Sequence, residues 1–273
     1  MPQTKLAEIK SLLANADEQT RKDVLIELRR TIPIHLLEKE WNTTAEFILE
    51  AISRSQDITK RGVRGIIAEL AFSEYVLKPL GPTWLEHKLH GDLPYDAVIE
   101  DANGKITIQT KNQRLDKGIP LRPNPTMVRL YPDVADWFLV ETQKTRSGKP
   151  KKSAGNSATD TGPIDVVELQ STRPYRFGEF DILAVCLQPS TGDWHQFMYT
   201  PALSLIASPK DAGLLNTFQP VPPIPCFAWT DDLNTCIEWV RHPEKCPPRQ
   251  AYVAPPKKFK KKLKKKSKNE SKK

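Results

Sequence analysis

One stretch restricts the fold of this chain more than any other. It reads Leu93-Pro94-Tyr95-Asp96-Ala97-Val98-Ile99-Glu100, then Asp101-Ala102-Asn103-Gly104, then Lys105-Ile106-Thr107-Ile108-Gln109-Thr110-Lys111. Asn-Gly between two apolar, partly alternating runs is a strong hairpin signal. Strand side chains repeat with a period of two, so Ile106 and Ile108 take one face while Gln109 and Lys111 take the other. A loop of residues 101–104 sets Glu100 opposite Lys105 and Asp96 opposite Gln109. A loop of Asn103-Gly104 alone sets Asp96 opposite Lys111. Either register gathers an acid, an amide oxygen and an ammonium on one face of one hairpin.

That set suits metal-assisted cleavage of a phosphodiester. Mg²⁺ takes one or two protein carboxylates and fills its remaining positions with water and substrate phosphate. Asp96, the Gln109 amide oxygen and the Thr110 carbonyl are the candidate metal ligands. Lys111 is placed to orient or deprotonate a water and to offset charge on the phosphorane-like transition state. With these residues in view, the segment resembles the PD-(D/E)XK nuclease superfamily, which includes most type II restriction endonucleases. Pro94-Tyr95-Asp96 stands for the Pro-Asp part, with one residue inserted. Gln109-Thr110-Lys111 stands for the acid-x-Lys part, with Gln in place of the acid. A Gln here is similar to a minority of the superfamily, notably some modification-dependent restriction nucleases.

Gln brings an oxygen but no charge, so such a site holds its cation less tightly unless another carboxylate helps. Asp92 and Glu100 are near in sequence. Glu69 is the stronger candidate, within Arg61-Gly62-Val63-Arg64-Gly65-Ile66-Ile67-Ala68-Glu69-Leu70-Ala71-Phe72. Val63, Ile66, Ile67 and Leu70 have the spacing of one helix face, and Glu69 borders it. Many restriction endonucleases are similar, carrying a Gly-x-x-Gly/Ala-Glu helix just before the catalytic hairpin. The resemblance covers roughly residues 57–200. It implies an α/β fold with a PD-(D/E)XK restriction-endonuclease-like core, a mixed four- to five-stranded sheet flanked by helices. Glu69, Asp96, Gln109 and Lys111 are then the catalytic candidates and Mg²⁺ the cofactor.

Charge is unevenly placed. The chain of 273 residues has a formal net charge of +8, yet residues 257–273 hold 11 Lys and one Glu, a net of +10, which leaves −2 for the rest. A run of like charges is commonly a disordered interaction tail. It either attracts phosphates, losing on the order of 10³-fold in affinity between 50 and 200 mM salt if about six lysines engage them, or is a solvated end. No run approaches the ~18 apolar residues of a membrane span, and the start has no apolar signal-peptide region. The expectation is a soluble cytoplasmic protein. Cys186 falls in an apolar run. Cys226, Cys236 and Cys246, with His242, are widely spaced and lack a Cys-x-x-Cys pair, which argues against zinc.

Three regions are expected: a helical N-terminal region at 1–56 packed on the core, a nuclease core with a closing segment at 57–253, and the Lys-rich tail at 254–273. In the first, Leu6, Ile9, Leu12 and Leu13 form a stripe that Val24, Leu25 and Leu28 continue. Thr43 or Thr44 is placed to cap a helix at 45–52. In the core, residues 137–141 and the apolar run 181–187 read as strands, and 194–199 returns from the latter as a hairpin at the sheet edge. Ile237, Trp239 and Val240 are expected to close the core. His195 reads as a surface residue.

The candidate DNA contacts are Lys144, Arg146 and Lys149 in a polar loop at 144–162, Gln113 and Arg114 after the hairpin, and Arg173 and Arg176 before the second strand, where Arg can contact phosphates or guanine edges. The favoured expectation is a site-specific double-stranded DNA endonuclease of the type II restriction kind. A two-fold dimer matching a palindrome and a cognate DNA methyltransferase in the same system would go with it. Alternatives are a modification-dependent or structure-selective nuclease of the same fold, and a non-catalytic DNA-binding protein.

Overall fold

A computed structural model describes residues 2–91, 93–143 and 174–248. The chain divides into two units, Met1–Arg64 and Gly65–Lys273, with the division falling inside one helix.

The first unit is helical: α1 (Pro2–Asn15), α2 (Glu18–Thr31), α3 (Leu36–Glu40), α4 (Ala45–Arg54) and the start of α5 (Asp57–Phe72). Short polar side chains satisfy the free N–H groups of the helix starts. Asp17 caps α2 by accepting from Thr20 N at 2.9 Å, and Thr44 caps α4 by accepting from Phe47 N at 3.3 Å. Buried Glu38 ties the unit together: its carboxylate accepts from the Arg29 guanidinium and from the N–H groups of Ile34, His35 and Ala45. The stripe made of Leu6, Ile9, Leu12, Val24, Leu25 and Leu28 is exposed.

The second unit continues with β1 (Leu85–Glu86), β2 (Ala97–Asp101), β3 (Gly104–Asn112), β4 (Leu115–Asp116), β5 (Ile119–Pro120), α6 (Pro125–Leu130), β6 (Phe138–Glu141), β7 (Ile182–Cys186), α7 (Gln188–Thr191), β8 (Phe197–Pro201), β9 (Phe218–Val221) and α8 (Leu233–Arg241). Five strands form a mixed sheet in the order β1-β2-β3-β7-β8, and β6 pairs with β9 as a separate ribbon. The fold class is therefore α/β, with the mixed five-stranded sheet and flanking helices that the sequence implied.

The hairpin takes the register in which Glu100 opposes Lys105 and Ala97 opposes Ile108. Asp101 Oδ1 accepts from Asn103 N at 2.8 Å, and Gly104 takes a φ of 115°, which a residue without Cβ adopts readily. At the far end Asp96 N donates to Ile108 O at 2.9 Å, which holds Asp96 beside Gln109. Strand β7 runs parallel to β3, and β8 returns antiparallel to β7. A parallel pair needs a long crossover and cover on both faces. All five residues of β7 are buried, which accounts for its unbroken apolar run.

Ile106, Ile108, Ile182, Ala184 and Cys186 pack on one face with Ala68, Ala71 and Phe72 of α5 and Leu233, Cys236 and Ile237 of α8. Leu183, Val185 and Met198 pack on the other with Val140, Tyr175, Phe180 and Trp229. Two sequence expectations need correction here. The α5 residues buried against the sheet are Ala68, Ala71 and Phe72, while Ile66, Ile67 and Leu70 are exposed. The i, i+3, i+4 spacing of two small residues and one large ring lets the helix backbone approach the strands. In α8, Leu233, Cys236 and Ile237 are the buried residues and Trp239 is only partly covered. Among the described residues, no helix is long and apolar enough to cross a membrane.

Candidate active site

The site candidates lie in the second unit, on α5, on the first residue before β2 and on β3. Strand alternation sends Gln109 and Lys111 to the face opposite Ile108, and the hairpin register brings Asp96 to them. One Asp96 oxygen, Oδ2, accepts from Thr110 N at 2.8 Å and also from Gln109 Nε2. Gln109 Nε2 additionally donates to Thr110 O at 3.1 Å. Gln109 is 1% exposed, and its Oε1 accepts from the Tyr175 hydroxyl at 3.1 Å. The amide thus turns its nitrogen, not its oxygen, toward Asp96. For Oε1 to serve as a cation ligand beside Asp96, the amide must make a half turn, and the Tyr175 hydroxyl, both donor and acceptor, can bond the amide in either orientation.

The electrostatics of the three ionisable groups are interlocked. Burial pushes the Glu69 carboxyl up to about 7, repulsion from Asp96 adds to this, and Lys111 opposes it. Burial likewise raises Asp96, against the pull of Lys111 and the Thr110 N–H. Burial lowers Lys111 toward its neutral amine, while Asp96 and Glu69 pull the other way. The Lys111 ammonium lies 5.7 Å from the centre of the Tyr175 ring, where a π-face favours a cation. Two carboxyls and one lysine are therefore close enough to set one another's protonation.

Among the described residues, no three His, Cys, Asp or Glu side chains gather as a metal-binding group. The oxygens gathered at one place are those of Asp96, the Thr110 carbonyl and, after its half turn, the Gln109 amide, with Glu69 within electrostatic range of Asp96 and Lys111. This set fits a hard cation that keeps several waters, such as Mg²⁺.

Other candidates fall elsewhere. Glu100 sits four residues along the strand from Asp96, about 13 Å away, where it bonds His87 at 2.6 Å and faces Lys105 at 3.9 Å. It does not belong to this site. Gln113 shares the face of Lys111 but is 3% exposed, so it does not present a surface for DNA. Arg114 pairs with Glu141 at 3.4 Å. Arg176 is exposed, and its backbone N–H, not its guanidinium, bonds Glu179 at 2.9 Å. His195 is exposed and bonds Asp193 at 2.7 Å. Asp92, Lys144, Arg146, Lys149, Arg173 and the Lys-rich tail lie outside the described residues. Tyr175 is the site residue that the sequence did not announce. Its only signal is an aromatic beside a Pro just before a buried strand.

No family model matches the chain, and no curated protein sequence matches it. A bacterial homing endonuclease, I-Ssp6803I, is a solved structure to which the chain is similar, at 20% sequence identity over 52% of this chain and 68% of that one, with a TM-score of 0.28.

Proposed function

We propose that the second unit is a Mg²⁺-dependent DNA endonuclease of the PD-(D/E)XK kind, acting as a type II restriction enzyme. The observation that carries this reading is the meeting of Asp96, Gln109 and Lys111 on one hairpin face with Glu69 in electrostatic reach. Asp96 and Glu69 would hold the cation, with the Thr110 carbonyl and the turned Gln109 amide completing the protein ligands. When bound, the cation supplies charge that offsets the developing negative charge on phosphate.

The chain's own groups supply the rest. Lys111, which burial biases toward a neutral amine, accepts a proton from the attacking water. The water oxygen forms a bond to phosphorus, the bond from phosphorus to O3′ breaks, and O3′ takes a proton from solvent. A 5′-phosphate and a 3′-hydroxyl result. The Tyr175 ring, 5.7 Å from Lys111 Nζ, favours the ammonium that forms when the proton arrives.

The test is incubation of the purified protein with unmodified and methylated phage DNA, with Mg²⁺ and with EDTA. Discrete Mg²⁺-dependent fragments that disappear with Asp96→Ala and Lys111→Ala are expected. Full cleavage by either variant would overturn this placement of the site. Fragments from methylated DNA alone would move the reading to modification-dependent restriction, which a neutral Gln at position 109 favours by resemblance. A dimer acting across two strands and a protecting methyltransferase belong to the same proposal.

A further inference from the structure

Gln113 presents a contrast with the other buried glutamines of its unit. Gln219, fully buried, donates from Nε2 to Ile206 O and Asn216 O and accepts at Oε1 from Ile206 N at 2.7 Å. Gln109 is paired at both ends. Gln113 is 3% exposed, yet neither its Nε2 nor its Oε1 has a partner. Among the described residues it is the one side chain with both polar atoms buried and unpaired. Natural folds bond nearly all such groups to protein or to ordered water. A buried amide left without a partner destabilises a fold, and departures of this kind concentrate at functional sites.

Its position supplies the function. Gln113 follows Lys111 by two residues, so strand alternation sets both side chains on one face, their Cα atoms about 6.6 Å apart. The backbone is fixed on both sides: Gln113 N donates to Cys186 O at 3.2 Å, and the residue bridges to Val140. A buried amide of this kind is satisfied by water when a second polar group lies within reach, since a buried water needs two to four polar partners, and Lys111 is the polar neighbour on this face. A DNA groove does not reach a side chain this deep.

We infer that Gln113 is a water-positioning residue of the hydrolytic site, its carboxamide holding the nucleophilic water against Lys111. This rests on the nuclease reading above. The amide changes no covalent bond. It fixes the direction from which the water oxygen meets phosphorus, and errors of about 1 Å in such positioning lower rates by about 10²-fold.

The experiment compares wild type, Gln113→Met and Asp96→Ala on an oligonucleotide duplex built around a cleavage site mapped on phage DNA. Methionine keeps the length and volume of Gln and removes its polar atoms. Three quantities are read: the single-turnover cleavage rate at saturating protein and Mg²⁺, the Kd for the duplex with Ca²⁺ in place of Mg²⁺, and the Tm. The expected result is a cleavage rate lower by about 10- to 100-fold, a Kd within about twofold, and a Tm higher by about 2–4 °C. A raised Tm with an unchanged rate would make the amide a packing defect and overturn the inference while leaving the nuclease reading intact. A Kd weakened in proportion to the rate would place Gln113 on DNA, and a lowered Tm would make it structural; both overturn the inference. Undiminished cleavage by Asp96→Ala would overturn the placement of the site at Asp96 and this inference with it, and no cleavage by the wild type would remove the nuclease reading itself.

Discussion

The Tyr175 hydroxyl donates to Gln109 Oε1 at 3.1 Å across 66 residues of sequence, and the same ring lies 5.7 Å from Lys111 Nζ. One side chain, buried and set edge-on against Phe180, therefore fixes two neighbours of Asp96. The hydroxyl governs the orientation of a carboxamide, and the ring governs the place of an ammonium. These two actions separate cleanly by substitution.

Tyr175→Phe keeps the ring and removes the hydroxyl. In the orientation that offers Oε1 to a cation, Gln109 Nε2 then has no acceptor, and an unpaired buried N–H is tolerated less well than an unpaired carbonyl. A differential of about 1 kcal/mol corresponds to roughly a fivefold rise in half-saturating Mg²⁺. Tyr175→Leu also removes the π-face under Lys111 and should lower the cleavage rate at saturating Mg²⁺. Titrations of Mg²⁺ against cleavage rate test both. Identical curves for Phe and wild type would show that the hydroxyl has no part in orienting Gln109.

Gln109→Glu restores the acid that the resemblance expects. It also places a second carboxylate against Asp96 and the Thr110 carbonyl, where the amide nitrogen now donates. Two carboxylates in one place repel unless a proton or cation intervenes. The variant should have a lower Tm in EDTA than wild type and a larger rise in Tm on adding Mg²⁺. Its Mg²⁺ affinity should increase by about tenfold, since added ligand charge tightens cation sites. Thermal melts across a Mg²⁺ series read this directly. A variant as insensitive to Mg²⁺ as Asp96→Ala would place the cation elsewhere.

How much was legible in the sequence follows from the range of the forces involved. The hairpin and the shared face of Asp96, Gln109 and Lys111 are local and legible, but two registers were open in the sequence, and the structure takes the one in which Asp101 opposes Gly104 and Asp96 falls beside Gln109. The buried strand β7 is visible as an apolar run because it is covered on both faces. The buried side of α5 was not legible, because Ile66 and Leu70 look more like core than Ala68 and Ala71 do. Only the close approach of helix to sheet makes small residues the interior ones. Tyr175 was invisible for a related reason, since its partner Gln109 lies on a strand that only the parallel pairing brings near. Nor does periodicity show which way an amide turns.

Acid should loosen the helical unit. Glu38 is held down to about 2, chiefly by its bond to Arg29, with the N–H groups of Ala45, His35 and Ile34 assisting. A carboxyl whose folded pKa is depressed contributes stability that is present above its ordinary value of 4.5 and is lost as pH falls toward 2. Arg29 also bonds Glu46 at 2.9 Å, and Glu46 is held down to about 2 by the same bond. Hydrogen exchange at successive pH values should show α2 to α4 losing protection through that window. Glu38→Gln, which presents an N–H group to donors, should lose the same protection at neutral pH. Unaltered exchange in the variant would mean that the unit is held by other contacts.

Glu69 gives the opposite pH dependence, and with it a test that separates site from scaffold. Its ordinary value of 4.5 is pushed up to about 7, mainly by burial and then by Asp96. Between those values the folded chain keeps a proton that the unfolded chain has lost, so stability falls as pH rises from 4.5 to 7 and stays lower above. Glu69→Gln is neutral throughout and lacks this penalty. In EDTA at pH 8 the variant should be more stable than wild type by about 1–3 kcal/mol, the shift discounted for partial exposure. At pH 4.5, where the wild-type carboxyl is protonated in the folded state, the two should melt close together. The same substitution removes a carboxylate from the proposed cation ligands, so on that proposal Mg²⁺-dependent cleavage should fall while stability rises. Paired melts at pH 4.5 and pH 8 with a cleavage assay at the higher pH would decide it. A gain of equal size at both pH values would mean that Glu69 is not held protonated by its surroundings. Retained cleavage would remove it from the site.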